Sequence, residues 1–117
     1  MAVSWIVIGC DLALSATVTI LLPVLREPLS TVAAKELVLA ILASGTVAYS
    51  RHAREELAKD RLTAVDAVNV LRGGVVEPAE LENGSWRYRV RTARMFVVIA
   101  FRSEEELVIV TAWRMKP

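Results

Sequence analysis

The sequence predicts an α+β domain in which helices precede an antiparallel sheet. Between residues 30 and 74, apolar residues recur with the spacing of amphipathic helices, and capping residues precede two of the helical stretches. From Val75 onward apolar and polar residues alternate instead, as they do in strands. The pair Asn83–Gly84 lies among these alternating stretches and is typical of a hairpin turn. Helices followed by a run of strands indicate the α+β class.

Length and composition limit the classes of function. A chain of 117 residues can bury one hydrophobic core. Its 14 basic and 13 acidic side chains give a net charge of +1, so binding to nucleic acid would have to depend on a local patch. Cys10 is the only cysteine and His52 the only histidine, which excludes an internal disulfide and the common cysteine and histidine metal sites. We therefore expect no metal, no cofactor and a cytoplasmic location.

Residues 1–29 form an apolar extension ahead of the domain, which we place at residues 30–117. Asp11 is the only charged side chain among the first 25 residues, and this stretch is long enough to cross a membrane. It lacks the basic start and the cleavage site of a signal peptide. Three interpretations remain open: a segment packed on the domain or on a partner, an inner-membrane anchor through residues 5–25, and a translation start further along the chain.

Three helices are predicted in the first half of the domain. Ser30 or Thr31 caps the first helix, and Thr63 with Asp66 forms a capping box at the start of the third. Glycines follow the first and third helices, where they are typical of a C-terminus. The three helices are predicted over residues 31–44, 51–60 and 63–74. A short extended segment, residues 46–50, lies between the first two.

The second half is predicted to be an antiparallel meander of three to four strands. Pro78 indicates an edge or irregular strand, because proline cannot donate a hydrogen bond to a neighbouring strand. The Asn83–Gly84 turn follows, and an acidic turn joins the last two strands. The three main strands are predicted over residues 86–91, 95–102 and 107–114.

The first main strand carries a row of arginines. Side chains alternate across a strand, so Arg87, Arg89 and Arg91 share one face, whereas Tyr88 lies on the other. Like charges stacked this closely repel unless an anion or an acidic partner lies over them. One interpretation is an anion-binding surface, whose ligand is either the phosphate backbone of RNA or an acidic partner protein. The other is a solvated sheet face whose arginines pair with nearby glutamates: Glu77, Glu80, Glu82 or Glu104 to Glu106.

His52 is the candidate for proton transfer, since histidine is the side chain that exchanges protons near neutral pH. It begins the charged helix, beside Arg51 and Arg54. An imidazole beside a cationic surface can act as general acid or base when a ribose 2′-hydroxyl attacks the neighbouring phosphate. Arginine side chains stabilise the charge that develops on the phosphorane. The alternative is a histidine that only caps or packs against a helix end.

The order of these segments carries a resemblance. A His-Ala pair at His52 follows a short extended segment, a helix ended by glycines comes next, and the strands WRYRV and ELVIVTAWR follow. This order, over residues 34–114, resembles a small bacterial domain similar to the MqsR and RelE toxins. The resemblance implies a compact RNase fold that cleaves messenger RNA without metal, on the ribosome or free of it. It implies catalytic roles for His52, Arg87, Tyr88 and Arg89.

The same resemblance implies a partner, an antitoxin of the MqsA type with a zinc ribbon and a helix-turn-helix that covers the arginine row. Many such toxins carry an arginine four positions after the histidine, where this chain has Glu56, and Arg54 is the nearest substitute. Two other functions remain open: a non-catalytic module that binds RNA or protein, and a membrane-tethered protein. We also expect a set of side chains to contact the substrate: Arg51, Arg54, Arg91, Arg94, Trp113 and Arg114.

Overall fold

The computed structural model describes residues 25–115 as three helices and a mixed sheet of six strands, which confirms the α+β class. The predicted packed or membrane segment falls almost wholly on residues 1–24, outside the described residues. Within residues 25–115, no helix is both long and apolar enough to cross a bilayer. The elements are α1 (Thr31–Ser44), β1 (Thr46–Tyr49), α2 (Arg51–Lys59), α3 (Ala64–Gly73), β2 (Val75–Val76), β3 (Glu80–Glu82), β4 (Ser85–Arg91), β5 (Met95–Ser103) and β6 (Glu106–Arg114).

Helix starts lie where the sequence predicts them, because side-chain oxygens satisfy the free N–H groups of the first turn. The Ser30 hydroxyl accepts a hydrogen bond from the backbone of Ala33 at 3.1 Å. At α3, the backbone N–H of Thr63 donates to the Asp66 carboxylate at 2.7 Å, and the Thr63 hydroxyl accepts from the Asp66 backbone at 3.2 Å. These reciprocal bonds form the predicted capping box.

The sheet is larger than the predicted meander. Strands β4, β5 and β6 are antiparallel neighbours as expected, and the full order is β1-β6-β5-β4-β2, with β3 also paired to β4. The segment after α1 joins the sheet as β1 and runs parallel to β6, with Thr46 opposite Glu106. The expected antiparallel meander is thus present, but it forms part of a mixed sheet of six strands. Local sequence patterns do not specify which distant strand a segment joins.

One face of the sheet forms the core together with α1 and α3. Tyr88 and Val90 of β4 lie on this face, fully buried, as strand alternation predicts. Helix α2 packs beside β6 and adds Ala53 and Leu57 to the same core. The opposite face of the sheet is only partly buried. The fully buried aliphatic core residues include Val38, Ile41, Leu71, Val97, Ile99, Leu107 and Ile109.

Lys35 links α1 to the end of α3. Its ammonium group donates to the backbone carbonyls of Leu71 (2.9 Å), Arg72 (2.8 Å) and Gly74 (2.8 Å). The carbonyls at the end of a helix have no partner within that helix, so a cation from another helix satisfies them well. Partial burial lowers the pKa of Lys35 below its ordinary value. This side chain therefore fixes how α1 lies against α3.

Candidate functional site

The structure brings His52 and two of the arginines to one cavity. Arg87 and Arg89 extend from the partly buried face of β4, and Trp113 of β6 lies on the same face. The cavity has a volume of about 300 Å³. We call it the His52 cavity. Its other lining residues are Glu80, Glu82, Val98, Val110 and Thr111.

A bulge in β6 places His52 at this cavity. The register of β6 against β5 shifts so that Val110 becomes an extra residue, and its carbonyl accepts a hydrogen bond from the Ser50 hydroxyl at 2.7 Å. Ser50 is also the N-cap of α2, because its hydroxyl accepts from the backbone of Ala53 at 3.0 Å. The first turn of α2 is thus fixed against β6. His52, in that turn, is exposed at the cavity.

Two aromatic rings orient Arg89. Phe96 and Trp113, on neighbouring strands, stack with ring centroids 5.0 Å apart. The Arg89 guanidinium carbon lies 5.4 Å from the Phe96 centroid and 6.0 Å from that of Trp113. Cation–π contacts of this kind contribute about 0.5–1 kcal/mol at exposed sites. The cation therefore has a preferred position in the free protein, before any ligand arrives.

Carboxylates from β3 share the cavity with the arginines. Arg87 lies 3.8 Å from Glu82, and Arg89 lies 3.9 Å from Glu80 and from Glu77. These distances are too long for hydrogen bonds, and the Nε atoms of Arg87 and Arg89 are buried without a partner. The glutamate pairing left open by the sequence thus occurs, but it leaves guanidinium donors unsatisfied. Two guanidinium groups and two carboxylates line the cavity, which is therefore not a purely cationic surface.

Of the six residues expected to contact substrate, only Trp113 lines the His52 cavity. Arg91 is hydrogen-bonded to Glu77 at 2.6 Å and lies outside it. Arg51 is exposed and pairs with Glu55 of its own helix at 3.3 Å. The remaining three lie elsewhere, Arg54 exposed on α2 and both Arg94 and Arg114 at a second cavity.

Tyr88 does not lie with the arginines, which differs from what the resemblance implies. Its side chain is fully buried on the core face. Its hydroxyl donates to the Glu27 carboxylate and accepts from the backbone N–H of Leu29, both at 2.9 Å. Burial, helped by the Glu27 carboxylate, raises the pKa of Tyr88 to about 12. Because alternation along β4 turns this residue away from the His52 cavity, we leave it out of the proposed site.

Glu80 and Glu82 line the cavity, whereas the sequence indicates them only as possible countercharges of the arginine row. Their placement follows from the two-residue turn at Asn83 and Gly84, which adopt φ angles of 53° and 78°. Such a turn fixes the register of the hairpin, so Glu80 lies opposite Arg87 and on the same face. The two-residue turn is therefore the sequence signal that pairs Glu80 with Arg87.

The His52 cavity offers one imidazole, two guanidinium groups, two carboxylates and an indole ring. Within residues 25–115, no three histidine, cysteine, aspartate or glutamate side chains come close enough together to hold a metal ion. Comparison with known proteins identifies no relative, since the chain matches no family model, no curated protein and no solved structure.

Proposed function

We propose that this protein is a metal-independent endoribonuclease that cleaves messenger RNA, the toxin of a toxin–antitoxin pair with a RelE-like RNase arrangement. One observation carries the proposal: a single cavity combines groups that exchange protons, His52 and Glu80, with groups that bind phosphate, Arg87 and Arg89. Cleavage of a phosphodiester by its own 2′-hydroxyl requires both kinds of group. Because the proposed substrate is messenger RNA, we propose a cytoplasmic location for the protein.

In the proposed reaction, the 2′-oxygen forms a bond to phosphorus as the bond from phosphorus to the 5′-oxygen breaks. The Glu80 carboxylate accepts the proton of the 2′-hydroxyl. The His52 imidazolium gives a proton to the departing 5′-oxygen. Arg87 and Arg89 donate hydrogen bonds to the phosphorane oxygens, where negative charge increases. The products are a 2′,3′-cyclic phosphate and a 5′-hydroxyl, and exchange of one proton each with water restores Glu80 and His52.

The glutamates beside the arginines are compatible with phosphate binding. The pairs at 3.8 and 3.9 Å involve side chains that are partly exposed, and ion pairs of this kind contribute only about 0–1 kcal/mol. A phosphate group can accept two parallel hydrogen bonds from one guanidinium, which is a stronger interaction. The Trp113 ring, stacked on Phe96, offers a surface on which a base can stack.

The test is cleavage of end-labelled RNA by purified protein, with and without a chelator, followed by analysis of the product ends. We expect cyclic phosphate ends that form equally with chelator. General acid–base groups contribute about 10²- to 10⁴-fold in rate, so His52→Ala should lose at least about a hundredfold, and Arg89→Ala should lose activity as well. Arg102→Ala is the matched control, because Arg102 pairs with Glu106 and does not line the cavity. Full activity in His52→Ala, or activity that needs a divalent cation, contradicts the proposal.

Primer extension on cellular RNA extends the test to living cells. Induced wild-type protein should produce new RNA ends and arrest growth, and the His52→Ala, Arg89→Ala double variant should do neither. The proposed antitoxin, of the MqsA type, should suppress both effects when it is co-expressed. Ends that also form with the double variant would come from other nucleases.

A second candidate function is a non-catalytic module that binds RNA or protein with the same cavity. The observation that favours it is charge balance, since Glu80 and Glu82 offset Arg87 and Arg89 and weaken long-range attraction for RNA. Under this alternative the wild-type protein binds RNA or a partner without cutting RNA. Arg89→Ala then weakens binding, and His52→Ala has no effect on RNA integrity.

A further inference from the structure

A second cavity, of about 460 Å³, lies where α3 meets the ends of β5 and β6. We call it the Arg114 cavity. Arg61 from the loop after α2, Arg94 from the β4–β5 turn and Arg114 from the end of β6 line it, together with Asp66, Asn69 and Thr92. Trp113 lines the His52 cavity and the next residue lines this one. The two cavities therefore flank the end of β6.

The Arg114 cavity is the more positive of the two. Three arginines line it against one carboxylate, whereas two arginines face two carboxylates in the His52 cavity. Asp66 is already engaged, since its carboxylate accepts hydrogen bonds from the Thr63 backbone (2.7 Å) and hydroxyl (3.0 Å). Arg61 and Arg94 form no ion pair within residues 25–115. This surface has the charge excess that the arginine row lacks.

Backbone contacts hold the three arginines around the cavity. Arg61 has a φ of 58°, a conformation that glycine or asparagine adopts at lower cost, and its N–H donates to the Ala58 carbonyl at 3.1 Å. The carbonyl of Arg94 accepts from the backbone of Met115 at 2.7 Å. The Arg114 guanidinium donates to the Asp60 carbonyl at 3.1 Å. The three arginines thus line one cavity, although they come from separate segments of the chain.

We propose that the Arg114 cavity binds a phosphate group of the RNA, outside the site of cleavage. The inference rests on the proposed function for the identity of the polymer. A single strand that passes Trp113 reaches Arg114 around the end of β6, since these adjacent residues face different cavities. Guanidinium groups suit phosphate because they offer several donors in one plane. The cleavage site and this subsite together would bind a longer stretch of RNA than either alone.

The test compares the Arg61→Ala, Arg94→Gln double variant with the Arg102→Ala control. Fluorescence anisotropy measures the Kd for a labelled single strand of about 12 nucleotides over a salt series. For the double variant we expect Kd to increase at least about tenfold and the log–log salt slope to become less steep by about 0.7 per lost phosphate contact. Cleavage of a dinucleotide, which is too short to span both cavities, should proceed at the wild-type rate.

The outcomes separate this proposal from the nuclease proposal. Circular dichroism first establishes that the double variant folds. Binding that is weaker in the double variant, without cleavage by any form, supports the subsite and contradicts the nuclease. Cleavage with unchanged affinity and salt slope overturns the subsite alone. Titration with inorganic phosphate distinguishes a site for free phosphate: if the double variant loses phosphate binding while Kd for RNA stays unchanged, assignment to the polymer is wrong.

Discussion

Tyr88→Phe removes a single oxygen atom from the buried side of β4 and separates a structural role of this hydroxyl from a catalytic one. The hydroxyl bonds the Glu27 carboxylate and the Leu29 backbone, both at 2.9 Å. A neutral hydrogen bond contributes about 1 kcal/mol, and one to a charged group about 1.5–3 kcal/mol. We therefore expect the free energy of unfolding at neutral pH to decrease by about 2.5–4 kcal/mol. Because Tyr88 faces away from the His52 cavity, the rate of RNA cleavage by folded protein should not change.

The same substitution alters the response to alkaline pH. Burial raises the pKa of Tyr88 from 10.0 to about 12, so the folded protein retains this proton where the unfolded chain releases it. The stability gained in this way is complete below about pH 10 and is lost as pH rises through about 12. Each unit of pKa corresponds to about 1.4 kcal/mol, which gives a loss of up to about 3 kcal/mol for the wild type. The Tyr88→Phe variant lacks this part of the loss.

Denaturant unfolding measured at neutral pH and at about pH 9 and 11 tests both expectations. Tyrosinate absorbance reports the ionisation itself, and Tyr49→Phe identifies the contribution of the second tyrosine, whose pKa burial also raises. Cleavage of labelled RNA at neutral pH completes the comparison. If Tyr88→Phe leaves stability unchanged but abolishes cleavage, the hydroxyl serves the reaction and the structural reasoning is refuted.

Three further substitutions test the packing that positions the cavities. Gly74→Ala places a methyl group 2.5 and 2.8 Å from two backbone carbonyl oxygens, so it should lower the thermal unfolding midpoint. Gly73→Ala is the control, because its methyl group meets nothing within 4 Å and should be tolerated. Equal midpoints for the two variants would contradict this reasoning. Lys35→Met removes the ammonium group that binds three carbonyls, so it should lower the free energy of unfolding by about 2 kcal/mol. Lys59→Met is the control and should change this free energy little, because Lys59 is exposed. Hydrogen bonds from the backbone and hydroxyl of the N-cap threonine lower the pKa of Asp66, so its contribution is present above its ordinary pKa and is lost as pH falls through the lower value. Asp66→Asn should therefore lose less stability than the wild type in acid unfolding curves, and parallel curves would show that the carboxylate does not contribute.

Elements defined by neighbouring residues are predictable from this sequence. The Ser30 cap, the Thr63–Asp66 capping box and the Asn83–Gly84 turn each depend on contacts within a few residues, and each is found as expected. The parallel pairing of β1 with β6 joins Thr46 to Glu106, and no local pattern encodes it. Sequence therefore indicates the segments of the sheet, while its order depends on tertiary packing.

The same distinction applies to the cavities. Alternation along β4 correctly separates Tyr88 from the arginines on either side of it. The glutamate countercharges follow from the hairpin register, which is also local. The Arg114 cavity draws its arginines from three distant segments, at positions 61, 94 and 114. The sequence indicates Arg94 and Arg114 as substrate contacts, but it does not indicate Arg61 or the meeting of the three in one cavity. A run of arginines is visible in the sequence, but the net charge of a surface depends on which other charged side chains lie near it in the folded protein.

The bulge at Val110 has a consequence for how the His52 cavity forms. The bulged residue holds the N-cap of α2, and its strand also supplies Thr111 and Trp113 to the cavity wall. A local opening that detached β6 from β1 and β5 would release α2, which carries His52, and would remove the Trp113 ring from the cavity at the same time. Forms that keep only one of these two groups in place should then be absent. The proposed RNA cleavage should be lost on heating at the temperature at which this one strand detaches.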